Sequence, residues 1–258
     1  MVTSGVDVGN KSIKVVVLAD GAVAARAAGP AGFEPNVVAG ELLAGALKQA
    51  GLKRADLVHV TATGGGRNLL AFADSTVTDV TATARGANLL CPGVTTVVEV
   101  GAEESRGIKT DGRGRVVDSA VNDKCAAGSG AFTESMARAL GMTLKEFGEK
   151  SLESSARISM NAQCTVFAES EVVSLIHSGA DRRDIARAVH DAIANRVASM
   201  VRRVKIEGEV ALLGGLAYNP GFVRCLREHL DVETIRIPEH PEFAAALGAA
   251  AVAAERSA

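Results

Sequence analysis

Tryptophan is absent, and aromatic residues make up only 3% of the 258 positions. Surfaces that hold single-stranded nucleic acid stack bases on aromatic rings, so this composition argues against one. A formal net charge of −2 removes the broad basic field that duplex binding draws on, and nucleic acid is not an expected partner. Long apolar runs are missing too. The longest, "FAAALGAAAVAA" at 243–254, falls short of the roughly 20 residues of a membrane span and reads as a buried helix, so no membrane partner is expected. The opening "MVTSGVDVGN" has no basic start followed by an apolar run, so no signal peptide is expected, and the cytoplasm is the expected location. Cysteine is scarce: residues 91, 125, 164 and 225 form no tight pair. Without a secretory signal, thiols or metal ligands are better readings than disulfides.

Against these gaps stand 27 glycines and a hydrophobic content of 47%, enough for a core in one large domain or two modest ones. "IKVVVLADGAVAAR" reads as two strands around a turn, 37–52 as a helix ending at glycine, and "ADLVHVTATGGGR" (55–67) as a strand running into a glycine loop. Residues 91–124 suggest a second strand meander. Helical patterns follow at 130–141, 143–150, 165–178 and 181–204, then a strand, a glycine turn and a helix over 208–230. "VETIRIP" (232–238) reads as a strand and 241–255 as the closing helix.

"GVDVGNKSIKVVVLADGAV" and "VVEVGAEESRGIKTDGRGRVV" share one plan: a strand ending in acid–Val–Gly, a polar loop, a second strand and a DG turn. Two such halves imply a duplicated α/β fold with a ligand cleft between lobes. The expected division is 1–92 plus 236–258 for the first lobe and 93–235 for the second.

Three glycine loops can carry chemistry. Asp7 and Glu99 each sit near a strand end, with Gly9 and Gly101 two residues on. Glycine brings backbone N–H groups close to an anion, and a carboxylate beside them can hold Mg²⁺ through water. Lys11 and Lys14 offer charge to a phosphate. Gly214, Gly215 and Leu216 follow the strand "VALL" and suit close approach to a nucleoside or phosphate. Taken singly, each loop is better explained as a plain turn. In order, on a duplicated plan, they support one another.

Cys125 and Cys164 each stand just ahead of a helical pattern, "GAFTESMARALG" and "VFAESEVVSLIHSG". Free N–H groups and the dipole at a helix start lower a thiol pKa and suit a thiolate ligand. An isolated cysteine can equally be a small buried hydrophobe, the reading taken for Cys91 and Cys225. Zinc is the weaker option, since four ligands at tetrahedral spacing are not visible. A [4Fe-4S] cluster takes four cysteines. Two per chain would therefore require a dimer sharing the cluster.

The motifs "VDVGNKSIK", "VEVGAEE" and "ALLGGLAYNPG" resemble the phosphate-1, phosphate-2 and adenosine loops of the superfamily that joins acetate kinase, sugar kinases, heat-shock chaperones and actin. "NDKCAAGSG" and "QCTVFAESEVVSLI" narrow the resemblance to the activator ATPases of 2-hydroxyacyl-CoA dehydratases and the ATPase subunits of benzoyl-CoA reductase. It implies an actin-like, ribonuclease H-like fold and binding of ATP or ADP with Mg²⁺. The implied contacts are Gly9, Asn10, Lys11, Ser12, Lys14, Gly101, Ala102, Glu103, Gly128, Gly130, Gly214, Gly215 and Leu216, with Asp7 and Glu99 as the catalytic acids. It also implies a [4Fe-4S] cluster on Cys125 and Cys164, shared with a homologous ATPase subunit in a pseudo-symmetric dimer. Asn10-Lys11 stands where Ser-Thr is usual, and "GAEE" replaces the usual Gly-Gly-Gln-Asp. The "GAEE" run looks most like the delta-type benzoyl-CoA reductase subunit. That resemblance implies electron transfer from ferredoxin to separate catalytic reductase subunits, and a homodimeric dehydratase activator is the alternative. A small-molecule kinase with Asp118 or Asp123 as base leaves the paired cysteine motifs unexplained, whereas the altered phosphate loops suit a non-catalytic module on the same fold, a partly degenerate partner of a more active ATPase subunit.

Overall fold

Two strand-rich segments, each opening on an acid–Val–Gly strand, seed two separate sheets. The computed structural model describes residues 1–122, 129–160 and 165–257. They form two compact units: Met1–Thr95 with Thr110–Val117 and Pro238–Ala258, and Thr96–Lys109 with Asp118–Ile237.

The first unit holds β1 (Val2–Val8), β2 (Ser12–Ala19), β3 (Ala22–Pro30), β4 (Leu57–Thr63) and the short β5 (Ser75–Thr76), ordered β3-β2-β1-β4-β5. β1 runs antiparallel to β2 and parallel to β4. It lies mid-sheet, and Thr3 to Val8 are all buried, Thr3, Ser4 and Asp7 among them. Helix α1 (Pro35–Gln49) starts with proline in its first turn, where a missing N–H goes unnoticed. Helix α2 (Asp79–Leu90) is capped by the Thr78 side chain, which accepts from the Thr81 N–H. None of the expected elements corresponds to α2. Its buried face is Ala82, Thr83, Ala84, Gly86 and Ala87, too small to print a strong apolar period.

The alanine run belongs to a closely packed helix (Ala244–Arg256), which becomes α8 once the second unit is counted. A Cβ on Gly5 would lie 2.0 Å from the Ala246 carbonyl oxygen, and one on Gly86 1.9 Å from that of Ala244. Small side chains let this helix touch β1 and α2 backbone to backbone. Among the described residues, no helix is long and apolar enough to cross a membrane.

The second sheet comprises β6 (Thr96–Val100), β7 (Ser105–Thr110), β8 (Val116–Asn122) and β9 (Val210–Leu213), ordered β8-β7-β6-β9, with β6 and β9 parallel; all but the Thr110 end of β7 and the first two residues of β8 belong to the second unit. The helices of that unit are α3 (Gly130–Ala139), α4 (Leu144–Ser151), α5 (Thr165–His177), α6 (Arg182–Val201) and α7 (Pro220–Leu230). Thr143 and Glu146 close a capping box on α4, Asp181 caps α6, and Asn219 caps α7. Met136, Leu140, Phe147, Ile185, Ile193, Phe222 and Leu226 fill the core.

The strand expected over 232–238 does not form. Only Arg236 pairs, as an isolated bridge to Ala211, donating to Val210 at 2.8 Å and accepting from Leu212 at 2.9 Å. Pro238 has no N–H with which to extend the ladder.

Candidate functional site

Asp7 stands in register with Lys14 of β2 on one side and with Thr63 of β4 on the other. Paired positions share a face of the sheet, so an amine, a carboxylate and a hydroxyl form one row at the end of β1. The Lys14 Nζ lies 3.2 Å from Asp7 Oδ2. Asp7 is 8% exposed, and Thr63 is wholly buried, its Oγ1 without a hydrogen-bond partner among the described residues. Past Val8 the chain turns, and the Gly9 N–H donates to the Ser12 carbonyl at 3.2 Å. The glycine loop after β4 closes over this turn. Gly64 has φ +90°, and a Cβ there would lie 2.4 Å from the Val8 oxygen and 2.7 Å from Asp7 Oδ1. The Gly66 N–H donates to the Val8 oxygen at 3.0 Å.

The second unit repeats this plan. Glu99 is in register with Arg106 of β7 and Leu213 of β9. Arg106 Nη1 lies 2.8 Å from Glu99 Oε2, and its other terminal nitrogen pairs with Glu104. The Gly101 N–H donates to the Glu104 carbonyl at 2.9 Å, matching the turn after Asp7. Gly214 follows β9 with φ +86°, and a Cβ there would lie 2.3 Å from the Val100 oxygen. Each half thus sets a base seven residues after its acid, and a left-handed glycine over the carbonyl of the residue next to that acid.

The two halves differ in chemistry. The Arg106 guanidinium bridges two carboxylates and holds them as a fixed fork. Lys14 is a point charge on a flexible stem, able to turn to a phosphate oxygen while Asp7 takes a hydrated cation.

The expected contacts fall into three groups. Asp7, Gly9, Asn10, Lys11, Ser12 and Lys14 share the β1–β2 turn and its flanks. Glu99, Gly101, Ala102 and Glu103 lie at the end of β6, and Gly130 joins them, because its N–H donates to the Gly101 oxygen at 2.9 Å and that of Ala131 to the Ala102 oxygen at 2.8 Å. Gly214 lies against Val100, and Gly215 follows it with open space where a side chain would go. The Leu216 side chain is in the core, leaving its backbone for any ligand contact.

Cys125, Gly128 and Cys164 lie outside the described residues, and α3 and α5 begin at Gly130 and Thr165, after each cysteine. The first two N–H groups of α3 are already bound by Gly101 and Ala102. Of the thiolate stabilisation expected from that helix start, the dipole remains and those two donors do not.

Cys91 and Cys225 are buried, as packing residues should be, and burial pushes the Cys225 thiol up to about 12. Thr63 and Gly64, which the sequence marks only as part of the strand and glycine loop over 55–67, join the site, and so does Arg106, which no site motif names. A signal for Arg106 does exist: once the acid–Val–Gly hairpins are aligned, the base at i+7 falls opposite the acid in both.

A family model described as the BadF/BadG/BcrA/BcrD ATPase family matches residues 4–253. The activator of lactoyl-CoA dehydratase of Anaerotignum propionicum is 37% identical over 99% of this chain and 98% of its own length. A benzoyl-CoA reductase subunit of Thauera aromatica is 32% identical over 96% of this chain and 92% of its own. Among solved structures, (R)-2-hydroxyglutaryl-CoA dehydratase component A of Acidaminococcus fermentans superposes with TM-score 0.94 at 34% identity, covering 100% of this chain and 99% of that one. The activator of 2-hydroxyisocaproyl-CoA dehydratase from Clostridium difficile, with bound ADPNP, superposes with TM-score 0.92 at 34% identity, covering 100% and 96%. A hexokinase of Thermus thermophilus, 17% identical with TM-score 0.53 over 99% of both chains, shares the fold alone. The fold is the actin-like ATPase fold that the resemblance of the loop motifs implies.

Proposed function

The chain belongs to the BadF/BadG/BcrA/BcrD ATPase family, and we propose that it is the ATP-dependent activator of a 2-hydroxyacyl-CoA dehydratase. The observation that carries this reading is its end-to-end likeness to dehydratase activators, one of them holding an ATP analogue. The delta-type reductase component suggested by "GAEE" becomes the second reading, favoured by the Thauera relative.

In this reading the Asp7 row receives the nucleotide's phosphates. Asp7 holds Mg²⁺ through water, Lys14 leaves the carboxylate for a phosphate oxygen, and the turn at Gly9 lets the backbone come close. The Gly214–Gly215 turn is the proposed nucleoside contact, with open space where a Gly215 side chain would go. Glu99 stays paired with Arg106, fixing the shape of the Gly101–Ala102 loop. Two backbone bonds tie that loop to the start of α3, the helix after Cys125, so a change in the loop reaches the cysteine segment without a side chain between. Cys125 and Cys164 of each chain would hold a [4Fe-4S] cluster across a dimer, supplying one-electron chemistry when bound. Reduced ferredoxin is the proposed donor, and the dehydratase the acceptor.

The test is anaerobic purification, iron analysis and an assay of dehydratase activation with ATP and a reductant. One cluster per dimer, lost in Cys125→Ser or Cys164→Ser, together with ATP-dependent activation, supports the reading. Iron and ATP turnover without dehydratase activation, but with electron delivery to reductase subunits, selects the second. Absence of iron under strict anaerobiosis removes both.

A further inference from the structure

The hydroxyl of Thr63 is wholly buried and has no hydrogen-bond partner among the described residues. Such a group normally finds one, because leaving it unpaired costs about 1–3 kcal/mol. The ordinary explanation is that threonine suits a strand. The second unit supplies a control within the same chain. There the position in register with the acid, next to the left-handed glycine, is Leu213, wholly buried and apolar. Both halves close the same turn, Gly64 over Val8 and Gly214 over Val100. The scaffold therefore has no need of a hydroxyl at this place, and only the first unit keeps one.

The neighbours of Thr63 show what it could serve. It shares a sheet face with Asp7, one strand away, and a Cβ on the adjoining Gly64 would come within 2.7 Å of Asp7 Oδ1. On the far side of Asp7, Lys14 claims the other carboxylate oxygen, Oδ2. A polyphosphate competes for Lys14. Once the ammonium turns to phosphate, Asp7 loses a charged donor, and a hydroxyl one strand away can take its place.

We propose that Thr63 is a positioning residue for Asp7, holding the carboxylate in its cation-binding orientation when a nucleoside triphosphate with Mg²⁺ is bound. This deepens the proposed function and rests on its reading of Asp7 as part of the phosphate site. Thr63 does not reach the ligand. It acts through Asp7, and the same place in the second unit has lost the role.

The experiment compares Thr63→Val, which keeps the shape and removes the hydroxyl, with Thr63→Ser, which keeps the hydroxyl. Melting is followed with and without Mg·ATP, and affinity is measured with a fluorescent ATP analogue. Without ligand, Thr63→Val should melt at or above the wild-type temperature, since an unpaired polar group has been removed. Its affinity for the Mg²⁺ complex should fall about tenfold, the size of one hydrogen bond to a charged group, and Thr63→Ser should restore it. The loss should shrink when Mg²⁺ is left out, which a purely structural role would not produce. A Thr63→Val protein melting several degrees lower without ligand, or binding Mg·ATP as the wild type does, would overturn the proposal alone. A wild-type chain that Mg·ATP neither stabilises nor binds would overturn the ATP reading of Asp7 as well.

Discussion

Lys14 faces Asp7 across the β1–β2 pair, its ammonium 3.2 Å from the carboxylate and both side chains mostly shielded. The pair keeps a lone negative charge out of the row proposed to meet phosphate. It also gives the two groups separate fates on binding. Asp7→Asn should leave the fold intact and reduce Mg²⁺-dependent ATP hydrolysis by about two orders of magnitude, the usual effect of removing one transition-state contact. Lys14→Ala should act mainly on KM for ATP. Steady-state ATP turnover at varied Mg²⁺ checks both, and wild-type turnover in Asp7→Asn would remove Asp7 from the site.

Gly64 and Gly214 are irreplaceable for a shared reason. Each has positive φ, and each would drive a Cβ to within 2.4 Å or less of a carbonyl oxygen. Backbone atoms cannot move aside as side-chain ends do. Alanine at either place should destabilise by more than about 2 kcal/mol, combining left-handed strain with overpacking. Gly215 is the control, because a Cβ there meets nothing within 4 Å. Gly215→Ala should keep wild-type stability while weakening nucleotide binding. Denaturant midpoints for the three variants would show the contrast.

Much of this architecture is written in local patterns. The acid–Val–Gly runs mark the strand ends, and the DG turn sets the β2–β3 hairpin. Strong polar signals such as Thr143-x-x-Glu146 mark helix starts. Helix α2 escapes because its buried face is alanine and glycine, which carry little hydrophobic contrast. The segment at 232–238 has strand composition but no room in the ladder past Pro238. For the site, the acids and glycines stand out as local motifs. Thr63 and Arg106 do not, because their meaning lies in cross-strand register, which appears only when β1 is set between β2 and β4, and β6 between β7 and β9.

His190 gives the second unit a sensitivity to acid. Its ring is fully buried against Phe147, with centroids 4.3 Å apart, and Nδ1 lies 2.7 Å from the Ala186 carbonyl. Burial, with a smaller contribution from the Arg187 charge, lowers its pKa from 6.5 to about 4. The folded state therefore holds the proton less well than the unfolded chain. His190 favours the fold fully above pH 6.5, and that contribution fades as the pH falls toward 4, to a total of about 3 kcal/mol. Over that window, melting temperatures should drop more steeply for the wild type than for His190→Gln. Parallel curves would show that the ring accepts a proton without leaving its place.

The tie between the Gly101–Ala102 loop and α3 can be loosened without touching a charged group. Gly130 opens α3, and a Cβ there would lie 3.2 Å from the Gly101 oxygen, close enough to push the loop by a few tenths of an ångström. Alanine favours the helix over glycine by up to about 1 kcal/mol, which offsets part of the strain, so Gly130→Ala should fold normally. Its effect should fall on communication. ATP hydrolysis should stay within about twofold of wild type, because no group of the Asp7 row has changed, whereas ATP-dependent activation of the dehydratase should drop about tenfold, equivalent to about 1.4 kcal/mol of lost coupling. Measuring turnover and activation on the same preparation separates the two. A parallel fall in both would place Gly130 in the nucleotide site itself, and no fall in either would show that the nucleotide state reaches the Cys125 segment by another route.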